Sequence, residues 1–198
     1  YSISCAIIHY RKLDILCMRI TKVTTKTGDG GKTSLGNGQR VHKNHPIINT
    51  LGELDYLNSI IGWAEVESAN ESYSRELKNI QQDIFNISGD LSLPNSDVSL
   101  LKEERIIHLE KMIKSMNEKL PPLEEFILPG GSELNARLHI ARTTCRNSER
   151  SLVSLHLEHD KNKIHAKYLN RLSDYLFLLA RDVAQSENQN EEHWELEK

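Results

Sequence analysis

The sequence is short of cysteine, proline and aromatic residues, and it has no long apolar run. Its 198 residues include three Cys and five Pro, and aromatics make up 6%. Cys5, Cys17 and Cys145 cannot all pair within one chain. They suggest no disulfide framework and point to a reducing, intracellular compartment. No apolar stretch approaches the length of a membrane span. A formal charge of −3 gives no support to a nucleic-acid partner. The scattered histidines and the three distant cysteines predict no structural zinc. There is no internal repeat. What remains is abundant Leu, Ile, Glu, Lys and Asn, the composition of one helical domain with enough chain to bury a core.

The most informative stretch is residues 126–155, FILPGGSELNARLHIARTTCRNSERSLVSL. Phe126, Ile127 and Leu128 run into Pro129, Gly130 and Gly131, which break regular structure. Ser132 then offers an oxygen to the free N–H groups of a new helix. Leu134, Leu138, Ala141, Cys145, Ser148, Leu152 and Leu155 recur at three- and four-residue spacing, which predicts one buried stripe. A second face carries Arg142, Arg146 and Arg150, with Glu149 beside them. Stacked guanidinium groups repel one another, so an anion is expected opposite. Arg suits multidentate recognition of phosphate or carboxylate. Solvation, or ion pairs with an acidic neighbouring helix, would account for the stripe equally well.

The rest of the chain reads as four more helices and a loop. Residues 1–17 look foreign to the remainder of the chain, and the domain is expected to begin at Met18. Residues 24–45 predict a loop rich in Thr, Gly and Lys. Its GDGGKTS fails as a Walker A loop because Lys26 stands where the first Gly should be. Gly, hydroxyl and Lys side chains in such a loop still suit phosphate. Helices are predicted over about 46–65, 73–91, 101–119, 133 onward and 163–185, with residues after 187 a frayed polar tail. The second and third are expected to be scaffold only. Five such helices joined by short connections predict an all-α, up-and-down antiparallel bundle.

Three stretches carry a resemblance. FILPGG with ARTTCRNSER is similar to the PduO-type ATP:cob(I)alamin adenosyltransferases. So are TKTGDGGKTSLGNGQRVHKNHPIINTLGELDYLNSIIG and YLNRLSDYLFLLAR. The order and spread of these motifs, over about residues 22–187, identify the chain as a member of that family. The resemblance implies a five-helix bundle over 18–187 with an N-terminal nucleotide-binding loop, then a polar tail at 188–198. It implies transfer of the 5′-deoxyadenosyl group of ATP to the cobalt of cob(I)alamin, giving adenosylcobalamin and triphosphate.

The resemblance also assigns roles. Thr25, Lys26, Thr27, Gly28, Thr33, Ser34 and Lys43 would wrap the triphosphate, Arg146 and Arg150 would neutralise it, and Asn170 would meet the nucleotide. Glu149 would orient an Arg or contact Mg²⁺. Phe126 would occupy the lower face of the corrinoid, and Asp55 would pair with Arg142 of an adjacent subunit. A homotrimer with ATP at its subunit interfaces is implied. So are a corrinoid reductase and an adenosylcobalamin-dependent enzyme as partners, in the cytoplasm or an organellar matrix. An ATP- or cobalamin-binding escort without catalysis, or a purely structural assembly, is the alternative. Two departures stand out. Gly30 and Gly31 follow Asp29 where the family has Lys-Gly, with Lys32 two positions beyond, and Asn147 replaces the second Arg of RRxER.

Overall fold

The computed structural model describes residues 24, 26–94, 96, 99–123, 125–158 and 163–195, without the side chains of 156–158. The N-terminal segment 1–17 lies outside the described residues. Five helices make up most of the rest: α1 Pro46–Glu65, α2 Glu71–Ser92, α3 Glu103–Lys119, α4 Glu133–Glu158 and α5 Lys163–Ser186. They form the expected up-and-down antiparallel bundle.

The helix ends arise from local chemistry. Pro46 opens α1 in the first turn, and His45 caps it, its Nδ1 accepting from the Ile47 N–H at 3.2 Å. Asn70 caps α2 by accepting from Ser72 N at 2.9 Å and Tyr73 N at 3.3 Å. That cap starts α2 two residues ahead of the expected Tyr73. Ser132 caps α4 as its position predicts, its Oγ accepting from Asn135 N at 3.3 Å. Gly130 and Gly131 before it hold φ of 155° and 94°, which disfavour side chains.

Helix α4 packs between α1 and α5, with α2 beyond α1 and α3 beyond α5. The predicted α4 stripe is buried throughout, from Leu134 to Leu155. Opposite it, Tyr168, Leu172, Tyr175, Leu176 and Leu179 of α5 are fully buried. The Cys145 thiol sits in this seam and donates to the Leu169 carbonyl at 3.2 Å. Burial pushes that thiol well above its ordinary range, so it stays protonated.

Part of the predicted loop is instead a hairpin. Strands β1 Lys32–Ser34 and β2 Arg40–His42 pair antiparallel, Thr33 opposite Val41. Leu35 and Val41 bury against the bundle, and the Gly36 N–H donates to the Ser92 carbonyl at 2.8 Å. A Cβ on Gly36 would stand 2.9 Å from the Ser92 and Leu93 side chains, so only Gly permits this approach. The described part of the tail, 188–195, is not frayed either: the Leu128 N–H donates to the Glu192 carbonyl, and the Trp194 N–H to that of Phe126, both at 2.8 Å.

Buried carboxylates of α2 tie the outer helices together. Asp90 accepts from Leu100 N at 2.8 Å, Leu101 N at 3.3 Å and His165 Nε2 at 3.0 Å. Asp90→Ala leaves two backbone N–H groups and a buried His without their acceptor. The expected loss is about 2–4 kcal/mol, from the cost of orphaning buried donors. Urea unfolding monitored by circular dichroism measures it; a loss under half of that range would show that water replaces the carboxylate.

Candidate functional site

Helix α4 brings Arg146, Glu149, Arg150 and Val153 to one wall of a cavity of about 300 Å³, which Asn170 of α5 completes. Four predicted site residues thus meet in one place. The Asn170 Nδ2 donates to Glu149 Oε1 at 3.2 Å, and Arg150 donates to the Asn147 side-chain oxygen. The substituted Asn147 therefore orients Arg150.

Arg105, Arg137, Arg171 and Arg181 each meet a carboxylate at 2.7–3.1 Å. Among the described residues no ion pair uses Arg142, Arg146 or Arg150. No acidic helix among the described residues neutralises the stripe. A row of guanidinium groups without an ion pair can accept an external anion.

Arg142 stands apart from the cavity. Its guanidinium lies 5.9 Å from the Phe177 ring centroid, and its Nε is buried without a partner. Burial, and then the charge of Arg146, weaken its hold on its proton, though an arginine remains charged. His139, one turn earlier, packs edge-on against the same ring at 6.1 Å. Asp55 is exposed on α1, and its carboxylate forms no ion pair among the described residues.

The hairpin forms a second cluster. Arg40 is its hub, and no sequence signal singles it out. Its Nη2 donates to the Thr27 carbonyl at 2.8 Å and the Lys32 carbonyl at 3.3 Å, and its Nη1 to Ser34 Oγ at 3.3 Å. The Lys43 N–H donates to the Gly31 carbonyl at 3.0 Å, and its ammonium reaches Gly28, where a Cβ would stand 3.3 Å from Nζ. Lys26, Thr27, Gly28, Thr33, Ser34 and Lys43 are thus gathered on one turn and hairpin, with Lys26 in a left-handed conformation at φ 59°. Thr25 lies outside the described residues.

Phe126 is 77% exposed, and its ring meets Trp194 edge-on at 6.4 Å. The tail that delivers Trp194 is held by Arg181. This residue is 6% exposed and bonds Glu191 at 2.9 and 3.1 Å and the Pro121 carbonyl at 3.0 Å. Sequence reasoning gives neither Arg181 nor the tail a role; Trp194 in a polar segment is the one signal.

For a divalent metal the chain offers little. Among the described residues no three His, Cys, Asp or Glu side chains gather to hold one. Glu149 is the one carboxylate at the cavity. That donor set fits Mg²⁺ only as an ion held mostly by phosphate oxygens and water. Among the described residues no helix is long and apolar enough to cross a membrane.

The fold is a five-helix bundle with an arginine-lined cavity, and comparison with known proteins gives the family. The sequence model for cobalamin adenosyltransferase matches residues 23–183. The cobalamin adenosyltransferase of Cupriavidus metallidurans is 42% identical over 91% of this chain and 97% of its own length. The corrinoid adenosyltransferase of Bacillus subtilis is 41% identical over 82% of this chain and 86% of its own. The chain spans about half of the longer PduO protein of Citrobacter freundii, at 40% identity and 51% of its length. A PduO-type ATP:corrinoid adenosyltransferase variant from Lactobacillus reuteri, solved with cobalamin and ATP, superposes with a TM-score of 0.83. It is 36% identical and covers 87% of this chain and 99% of its own. The chain belongs to the cobalamin adenosyltransferase family.

His139 gives the fold a pH signature. Burial, and then the Arg142 charge, push its pKa down to about 4, against the opposing pull of Glu191. It is therefore neutral in the folded protein. Between pH 6.5 and 4 the unfolded chain binds a proton that the folded chain refuses, so stability falls as pH drops through that window. The loss is on the order of 3 kcal/mol for a shift of this size. Thermal unfolding of His139→Gln between pH 7 and 4 should show a flatter decline than wild type; parallel curves would refute the buried neutral state.

Proposed function

We infer that the chain is an ATP:corrinoid adenosyltransferase, forming adenosylcobalamin and triphosphate. The observation that carries this reading is the unpaired arginine face of α4 beside Asn170, in a chain where Arg105, Arg137, Arg171 and Arg181 are matched to carboxylates. Cob(I)alamin is a strong nucleophile, so the protein supplies position and charge rather than a nucleophile of its own. The cobalt lone pair attacks C5′ of ATP, the cobalt–carbon bond forms, and the C5′–O bond breaks. Its electron pair leaves with triphosphate.

Arg146 and Arg150 neutralise that leaving group, and Asn170 and Glu149 position the nucleotide and its neighbours. Glu149 is the residue that would reach Mg²⁺ at the cavity, where the ion would supply further positive charge for the leaving triphosphate. The hairpin cluster of Lys26, Thr27, Gly28, Thr33, Ser34 and Lys43, with Thr25, wraps the triphosphate. The named hydrogen bonds of the hairpin run within it and to the end of α2, whereas those of the cavity run within α4 and between α4 and α5. A site built from both clusters is completed by a neighbouring subunit. That fits a homotrimer with ATP between subunits and Asp55 of one chain pairing with Arg142 of the next. Neither member of that pair has an oppositely charged partner among the described residues of its own chain. Phe126, exposed at the end of the bundle, covers the lower corrinoid face and displaces the lower ligand before reduction. A reductase supplies Co(I), and an adenosylcobalamin-dependent enzyme takes the product. The reading suits a reducing cytoplasm, where Cys145 stays a buried thiol.

The test is an anaerobic assay with chemically reduced cob(I)alamin, ATP and Mg²⁺, monitored by cob(I)alamin absorbance. Turnover in wild type and a fall of about 10²–10³-fold in Arg146→Ala is the expected result, the range for removing one transition-state donor. ATP binding without turnover would make the chain an escort instead. Phe126→Ala should keep ATP binding and lose adenosylation from cob(II)alamin; equal loss of both would remove Phe126 from the corrinoid face.

A further inference from the structure

Helix α3, expected to be scaffold only, reaches the cavity through a chain of side chains. Glu110 of α3 accepts from Arg171 Nε at 3.1 Å. Arg171 Nη1 donates to Asn170 Oδ1 at 2.7 Å. Asn170 Nδ2 then donates to Glu149 Oε1 of α4 at 3.2 Å. Lys167 adds a second, looser cation to Glu110 at 3.9 Å.

The chemistry of the two ends decides which way the Asn170 amide faces. A guanidinium only donates, so the amide atom beside Arg171 is the oxygen. An ionised carboxylate only accepts, so the atom beside Glu149 is the NH₂ group. Both neighbours demand the same orientation. The NH₂ group carries two hydrogens and Glu149 takes one. The other remains for an acceptor atom of a ligand in the cavity. Arg146 and Arg150 are donors too, so Glu149 is the one acceptor among the charged groups lining it.

We propose that Arg171, clamped by Glu110, is a positioning residue that locks the Asn170 amide with its NH₂ group toward Glu149 and the nucleotide. Arg171 does not line the cavity and acts through Asn170. Without it only the longer bond to Glu149 holds the amide, and in a flipped orientation its oxygen would oppose both the Glu149 carboxylate and the acceptor atoms of ATP. Glu110 holds the guanidinium by its Nε edge, which leaves Nη1 for Asn170. The proposal rests on reading the cavity as the ATP site.

A double-mutant cycle tests it, with ATP as the titrant in calorimetry and the KM for ATP and kcat from the cob(I)alamin assay. Arg171→Met should weaken ATP binding and raise its KM about tenfold, the size of one charge-assisted hydrogen bond, with kcat at saturating ATP changed far less. Arg171→Lys keeps a donor facing the amide oxygen and should recover most of the affinity. In an Asn170→Ala background, Arg171→Met should add nothing further. Equal loss from Arg171→Met in both backgrounds would overturn the proposal, because Arg171 would then act independently of Asn170. Unchanged ATP binding in Arg171→Met, with wild type binding normally, would overturn it alone. A wild type that binds no ATP would overturn the site reading and this proposal together.

Discussion

Three carboxylates, Glu76, Asp83 and Asp90, are buried on one face of α2 at seven-residue intervals, and the placement of α3 and α5 depends on satisfying them. Two helical turns separate each from the next, so they form a column. Glu76 takes Arg105 at 3.0 Å and His108 at 3.1 Å. Asp83 takes Arg105 at 2.7 Å and the Tyr168 hydroxyl at 2.7 Å. Asp90 takes His165 and the two backbone N–H groups at the α2–α3 connection. A buried carboxylate left unpaired costs more than most single contacts in a core contribute. Helices α3 and α5 must therefore each bring donors at the right height, which fixes their register against α2 as well as their contact.

The balance differs along the column. Burial raises the carboxyl of Asp83, and the bonds from Tyr168 and Arg105 only partly offset it. Burial alone would raise Asp90 too, but His165, Leu100 and Leu101 outweigh it and hold that carboxyl below its ordinary value. Asp90 is thus held as an anion, and it binds the first turn of α5. Asn170 and Arg171 come five and six residues after His165 on a helix whose register is already set. The column on one side of α5 therefore positions the side chains that reach Glu149 on the other. Cys145 and Leu169 secure the same seam from within.

How much of this the sequence discloses depends on the length of the pattern. The α4 stripe repeats over more than twenty residues, and all seven of its predicted members are buried. Helix α1 begins at Pro46 and ends at Glu65 as the capping and periodicity require. The hairpin escapes because three-residue strands carry too little alternation, and only Leu35 and Val41 mark its buried side. The carboxylate column escapes for a different reason. An acid in an amphipathic helix reads as a solvated position, and only its partners on α3 and α5, many residues distant, show otherwise. Composition misleads at the tail, since Glu191 looks like a solubilising charge until Arg181 is found buried opposite it. In the site, residue type and spacing on α4 are legible, whereas Arg40, Arg171 and Glu110 act through tertiary contacts that spacing does not encode.

The Asn at position 147 shows how two energies of similar size set the character of the arginine face. A second guanidinium there would add a charged contact to phosphate of about 1.5–3 kcal/mol. Asn147 supplies no charge, but its side-chain oxygen accepts from Arg150. A free arginine carries about 2 kcal/mol of rotamer entropy that binding an anion must remove. Part of that ordering is already done when Arg150 is held by Asn147 one turn earlier on the same helix. The guanidinium then meets its ligand with less freedom left to lose, as with any preorganised group. The lost charge and the gained order act in opposite directions and are comparable in magnitude. If the face is the polyphosphate site proposed above, the substitution therefore does not by itself strip it of affinity; it moves part of the work from a second cation to the orientation of the first.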